Sequence, residues 1–233
     1  MHWLWQGLTR AAVLLLSGDR EVLEIAGLTL FVSLSATAIS LVVGVPLGAV
    51  VALARFPGRR LLMTAANTGM GLPPVTVGLL VSLMLWRSGP LGRLELLYTP
   101  AAIILAQVLI CLPLVIGLTI AAIGALPPEM VLQLRSLGAS PLQLLLLLLR
   151  EARILLLAAA AAGFGSVISE VGASMMVGGN IRGSTRVLTT ATVLETQRGN
   201  FDLALAFSIL LLAMVFVINA LLLSGQRHTI RHE

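Results

Sequence analysis

The side chains that could do chemistry in this chain are few, and they gather in two stretches. In one, Ser169-Glu170-Val171-Gly172-Ala173 runs toward the turn-rich Gly178-Gly179-Asn180-Ile181-Arg182-Gly183 and on to Arg186. Glu170 is the one acid flanked by long apolar runs. A carboxylate so placed is costly unless paired, so it either acts in function or is satisfied by a partner such as Arg182 or a hydroxyl. Ser169, Ser174 and Asn180 offer neutral hydrogen bonds, to a passing anion or to ordinary packing partners. Arg182 and Arg186 offer positive charge to an anion, to a docking protein or simply to solvent.

The second stretch carries docking chemistry. Pro127-Pro128 stops an apolar run, and Glu129 suits the first turn of a new helix, where negative charge meets the positive end of the dipole. That helix passes through Met130, Leu134 and Leu137 to Gly138, placed as its C-terminal cap. Ser140-Pro141 then reads as an N-cap followed by proline at the first helical position. The pattern describes a short helix across one mouth of a bundle, with a plain connecting loop as the alternative.

Other chemistries are excluded by what is missing. All 15 basic residues are arginine, so Schiff-base and P-loop lysine chemistry are impossible. The frame of residues 178–185 imitates a P-loop, but Ser184 stands at the lysine position. His2, His228 and His232 fall at the chain ends, far from the clustered ligands a metal centre needs. No apolar stretch holds paired acids with histidine, so no catalytic cluster is expected and the chain reads as no enzyme. Cys111, alone in an apolar run, can form no intrachain disulfide.

The elements that must position these residues are membrane helices. Of 233 residues 58% are apolar and only 11% charged, with mean hydropathy +1.02, against about 25% charge in soluble domains. The net charge of +5 sits between greasy stretches, which points to lipid headgroups rather than nucleic acid. Spans are expected at 25–54, 61–86, 99–123, 154–177 and 203–223, the fourth as one helix with Glu170 inside it or near its outer end. The uncharged stretch 136–149 is too short to span and belongs to a loop, 126–153, leading to Arg150, Glu151 and Arg153. Residues 1–24 form an N-terminal segment in which Trp3, Leu4, Leu8, Ala11, Ala12 and Leu15 share a helical face, an interfacial helix, and 227–233 form a tail. Placing 55–60, the 124–153 loop and the tail 224–233 on one side gathers eight arginines against three glutamates there. Seven arginines and seven acids remain opposite, so the loop and tail are placed in the cytoplasm. Thr29, Ser33, Ser40, Asn67 and Gly78 within spans suggest packed helices with a polar path, and Pro46, Pro73-Pro74 and Pro113 interrupt the backbone ladder. An amphipathic stretch at 187–195 is expected on the outer surface, with Asn200 and Asp202 capping the last span.

Leu134-Arg135-Ser136-Leu137-Gly138-Ala139-Ser140-Pro141-Leu142-Gln143 resembles the cytoplasmic signature of ABC-importer permeases, a short helix that docks into the ATPase subunit. Leu132 replaces the usual glutamate, and Arg150-Glu151 the common Leu-Pro pair. Residues 168–173 with 178–183 are similar to the fourth span and outer loop of permeases for molybdate, tungstate and sulfate. Residues 17–25 and 189–196 look most like the tungstate branch, and with Gly71-Leu72-Pro73-Pro74-Val75 the likeness covers nearly the whole chain. The resemblance implies an all-α membrane protein of the type I ABC-importer permease fold, multi-pass in the cytoplasmic (inner) membrane, with about five transmembrane helices. It further implies a homodimer bound to two ATPase subunits, which hold the ATP, so that this chain carries no cofactor of its own. An extracytoplasmic oxyanion-binding protein would feed it. ATPase coupling would fall to Glu129, Arg135, Ser136, Leu137, Gly138, Ala139 and Ser140, and the path or gate to Ser169, Glu170, Gly172, Ala173, Asn180 and Arg182. Since a bare carboxylate would repel the family's anion, the favoured role for Glu170 is bracing a gate or dimer contact. A stand-alone channel or carrier would need no docking helix.

Overall fold

A computed structural model describes residues 18–54 and 56–230, with Trp5, Thr9 and Val13, and the side chains of the last helix through residue 222. The interfacial helix expected within 1–24 lies mostly outside the described residues, as does the end of the 227–233 tail. Every regular element among the described residues is a helix.

Asp19 starts α1 (Arg20–Leu53), its Oδ1 accepting from the Val22 N–H at 3.1 Å. This cap sets the start five residues ahead of the expected span, so 20–24 belong to the first long helix. At the far end Arg59 closes it, Nε and Nη2 donating to the Val51 and Ala52 carbonyls at 2.7 and 3.1 Å. Thr99 and Pro100 open α4 (Pro100–Gly124), the helix against which α1 packs most extensively. The two approach closely at Gly48, where a Cβ would fall 2.7 Å from the Thr119 Cβ.

The expected second span is not one helix. α2 (Arg59–Met70) and α3 (Pro74–Leu85) meet at 103°. Pro73 and Pro74 supply no N–H, and a proline drives the residue before it out of the helical region, so the ladder stops there. The expected fourth span, 154–177, is also broken: α7 (Arg153–Ile168) and α8 (Gly172–Gly178) meet at 57°. α1, α4 and α10 (Phe201–Ile230) are long and apolar enough to cross a membrane alone, and counting each bent pair as one span gives up to five.

Between α4 and α7 lie α5 (Pro128–Ser136) and α6 (Pro141–Glu151). Within the 126–153 connection α6 begins at the Ser140-Pro141 cap, as the sequence predicts. Leu144 and Leu148 are buried while Leu142, Leu146 and Leu147 are exposed, the pattern of a helix lying against the bundle on one face.

The 187–195 stretch does not lie on the surface. α9 (Leu188–Gln197) buries Leu188, Thr189, Thr190, Ala191 and Glu195. The Leu188 N–H donates to Thr29 Oγ1 at 2.9 Å, roughly 13 Å along α1 from its start. Glu195 and Arg198 share a cleft with Asp19 and Glu21 at that start. The chain therefore dips into the bundle after α8 and climbs back along α9 before α10 descends. A core of Val22, Ile25, Leu188, Ala191, Phe207 and Leu210 seals this hairpin, and Val32, Val81, Ile103, Ala106, Ala173 and Val177 form the core beneath the broken helices. Asn200 precedes α10, but its side-chain amide donates to Glu195 Oε2 at 2.7 Å.

Candidate functional site

The two breaks adjoin. α3 packs on α8 so closely that a Cβ at Gly78 would stand 2.7 Å from the Ala173 Cα, and one at Gly172 2.6 Å from Val75 Cγ2. Only glycine fits there, and the contact locks two bent spans into one unit.

Backbone groups freed inside a membrane must find partners within the protein. Glu170, half-buried, accepts from the Ala173 N–H through Oε1 at 2.9 Å and so caps α8. Its backbone carbonyl accepts from Thr189 Oγ1 at 3.1 Å. Buried Gln107 on α4 donates through Nε2 to the Val167 carbonyl at 3.1 Å, satisfying the last turn of α7. Gln107 and Thr189 are site residues that sequence reasoning missed. A lone amide within the apolar run of α4 was the available signal for the first; Thr189 had none beyond its hydroxyl.

The residues expected along a path are separated by this geometry. Ser169 is exposed, its Oγ donating to the Gly165 carbonyl at 2.7 Å and lying 3.3 Å from the Ser166 carbonyl. Thr68 and Thr76, flanking the first break, are exposed as well. Ser174 is buried, and its hydroxyl has no partner among the described residues. Gly172 and Ala173 form the first turn of α8. Asn180 turns inward at φ +51°, its Oδ1 accepting from Thr190 Oγ1 at 2.9 Å. Arg182 does not pair with Glu170. Its Nε donates to Glu21 Oε1 at 2.8 Å, Nη2 contacts the other carboxylate oxygen, and Arg186 Nη1 lies 3.6 Å from Oε1. That bidentate bond to Glu21 raises the Arg182 pKa further above its ordinary value, so the side chain is a fixed charge tying the 179–187 loop to the start of α1.

At the opposite end α5 buries none of its residues. Glu129, Leu132, Gln133, Ser136 and Leu137 line an open depression of about 460 Å³, and Leu137 is 83% exposed. Gly138 adopts φ +81° and donates to the Arg135 carbonyl at 3.0 Å, while the Ala139 N–H reaches Leu134 at 3.1 Å. Ser140 and Gln143 form a capping box at 3.3 and 2.9 Å. Arg135 is exposed on the last turn. This is a preformed, outward-facing helix with an apolar tip.

The described residues form a helical bundle of three long apolar helices and two bent pairs, with an unpacked short helix at one mouth. The bundle superimposes with TM-score 0.66 on a chain of the inward-facing MetNI methionine ABC transporter, covering 91% of this chain and 94% of that one at 18% identity. Residues 44–232 match the family of binding-protein-dependent transport system inner membrane components, and the chain belongs to that family of ABC permeases. It is 41% identical over 226 residues to the tungstate uptake system permease protein TupB of Peptoclostridium acidaminophilum, covering 97% of this chain and 99% of the relative. It is 40% identical over 205 residues to a probable anion ABC transporter permease protein of Haloferax volcanii, covering 86% and 88%. The chain is thus a multi-pass inner-membrane protein with a transport role.

Proposed function

We propose that this permease carries an oxyanion, tungstate foremost, inward across the cytoplasmic membrane as a homodimer. Separate ATPase chains bind and hydrolyse ATP, and an extracytoplasmic binding protein delivers the anion. The observation that carries the reading is the 41% identity to a tungstate permease along 97% of the chain. Molybdate and sulfate are the alternatives of the same chemistry.

In this reading α5 faces the cytoplasm and seats in the ATPase. Leu132 and Leu137 supply apolar contact, Glu129 and Arg135 flank it with charge, and the Gly138-to-Ser140 turn fixes its angle. Movement of α5 and α6 passes to α7, which follows α6 after a single residue, Ala152, and so to the break at Ser169. Glu170 holds the backbone at that break, while Ser169, Thr68 and Thr76 offer hydroxyls to a dianion whose transfer through hydrocarbon alone would be prohibitive. Hydroxyls and backbone groups discriminate weakly among tetrahedral oxyanions, which leaves selection to the binding protein.

The test is ATPase activity in proteoliposomes holding the permease, its ATPase and its binding protein. Tungstate is expected to stimulate hydrolysis at lower concentration than molybdate, and sulfate only weakly. Stimulation by an amino acid or sugar with no oxyanion response would overturn the assignment.

A further inference from the structure

We propose that the loop 86–99 binds the phosphate of an anionic phospholipid headgroup, with Arg87 and Arg93 as its cations and Trp86 and Tyr98 as its interfacial walls. The inference rests on the membrane-spanning role of the chain and is independent of which anion it transports.

α3 ends at Leu85 and α4 begins at Pro100, so the loop lies where two spans leave the hydrocarbon, at the end opposite α5. A cavity of about 720 Å³ opens there, lined by Trp86, Arg87, Arg93, Glu95 and Tyr98 over apolar Leu85 and Leu97. Among the described residues neither Arg87 nor Arg93 has an ion-pair or hydrogen-bond partner, unlike Arg182 and Arg198 at the same end. Trp86 and Tyr98 are half exposed, and Leu83, Met84 and Leu94 beside them are exposed as well. Indole and phenol rings favour the headgroup level, and leucine and methionine the hydrocarbon below it. A guanidinium fork matches phosphate oxygens.

The loop is built rather than slack. Glu95 and Tyr98 hold φ +49° and +64°, two of the three non-glycine residues with positive φ among those described. Such strain persists only where the surroundings fix it, and it concentrates at functional sites. The surroundings here are the Leu91 N–H bonded to the Met84 carbonyl at 2.9 Å and the Tyr98 N–H bonded to Val177 at 2.9 Å. Gly92 sits so tightly that a Cβ would come within 2.3 Å of the Trp86 oxygen.

Charge selects the ligand. Two arginines and Glu95 leave a single net positive charge in the cavity, which suits a phosphodiester monoanion better than a free dianion. Glu95 can accept a hydroxyl, so phosphatidylglycerol fits better than phosphatidylcholine.

The experiment is native mass spectrometry of the full chain in detergent with equimolar phosphatidylglycerol and phosphatidylcholine. At roughly fivefold per arginine near a charged surface, retention should favour phosphatidylglycerol by roughly thirtyfold. Arg87→Gln/Arg93→Gln should remove the preference to within about twofold, Arg87→Lys/Arg93→Lys should keep most of it, and Arg60→Gln at the other end should change nothing. Should the double glutamine variant not assemble, Arg93→Gln alone is expected to lose roughly fivefold. Equal retention of both lipids by the wild type, or an unaltered preference in the glutamine variants, would overturn the proposal. So would displacement of the lipid by micromolar sodium phosphate or tungstate, which would mark a site for the free anion.

Discussion

The junction between α7 and α8 and the turn between α5 and α6 are both capped helix ends, yet they are held in opposite ways. At α7–α8 distant side chains meet the freed backbone, Gln107 on α4 donating to the Val167 carbonyl and Thr189 on α9 to the Glu170 carbonyl, while the Glu170 carboxylate caps Ala173 locally. At α5–α6 every bond is local, spanning three to five residues, and no residue of α5 is buried. Inside a membrane bulk water is not at hand to satisfy every group at a break, so the protein supplies partners itself. At the mouth the backbone can turn to solvent, and the apolar tip of α5 is left exposed. The bend and the exposed helix are therefore stabilised by separate means, and they can be broken separately.

The largest effect should come from Gly78→Val, which drives a side chain into the Ala173 backbone and separates α3 from α8. Overpacking of this kind costs up to about 3 kcal/mol, so the thermal midpoint of the purified permease in detergent should fall clearly. An unchanged midpoint would mean that the two broken spans are not locked together. Gly138→Val should come next, because a left-handed backbone costs a side chain about 1–2 kcal/mol. That strain falls on a turn outside the core, so the bundle's midpoint should hold while ATPase co-purification drops. Loss of both together would erase the distinction between the two regions. Smallest is the Glu170 pair: Glu170→Ala removes the cap and should cost about 1 kcal/mol, whereas Glu170→Gln keeps an acceptor oxygen for Ala173 and should unfold almost with the wild type. If the glutamine variant is as unstable as the alanine one, the negative charge itself is required and a cationic partner holds Glu170.

This contrast also explains what the sequence disclosed. The α5–α6 turn was legible almost residue by residue, because Pro128, Glu129, Gly138, Ser140 and Pro141 act on their own neighbours. Glu170 was legible as an oddity, an acid in an apolar run, but its partner was not. Its carboxylate caps a backbone N–H three residues on, while Arg182 goes to Glu21, 161 residues away. The bend at Ser169 depends on Gln107, 60 residues distant from the carbonyl it satisfies, so periodicity alone continued the helix through it. The Pro73-Pro74 pair announced a break but not its 103° angle, which packing against α8 and α4 decides. The stretch 187–195 looked like a surface helix because its burial rests on Thr29 of α1, a contact without local trace.

In the proposed function the α7–α8 break presents exposed Ser169 to an aqueous path and packs buried Ser174 away from it. Single cysteines at these two positions, in a Cys111→Ser chain assembled with its ATPase, test it directly through reaction with a water-soluble maleimide. Ser169→Cys is expected to label rapidly, more slowly when tungstate-loaded binding protein and ATP are added, and Ser174→Cys not to label on the same timescale. An unreactive cysteine at position 169, or equal labelling at both positions, would contradict it.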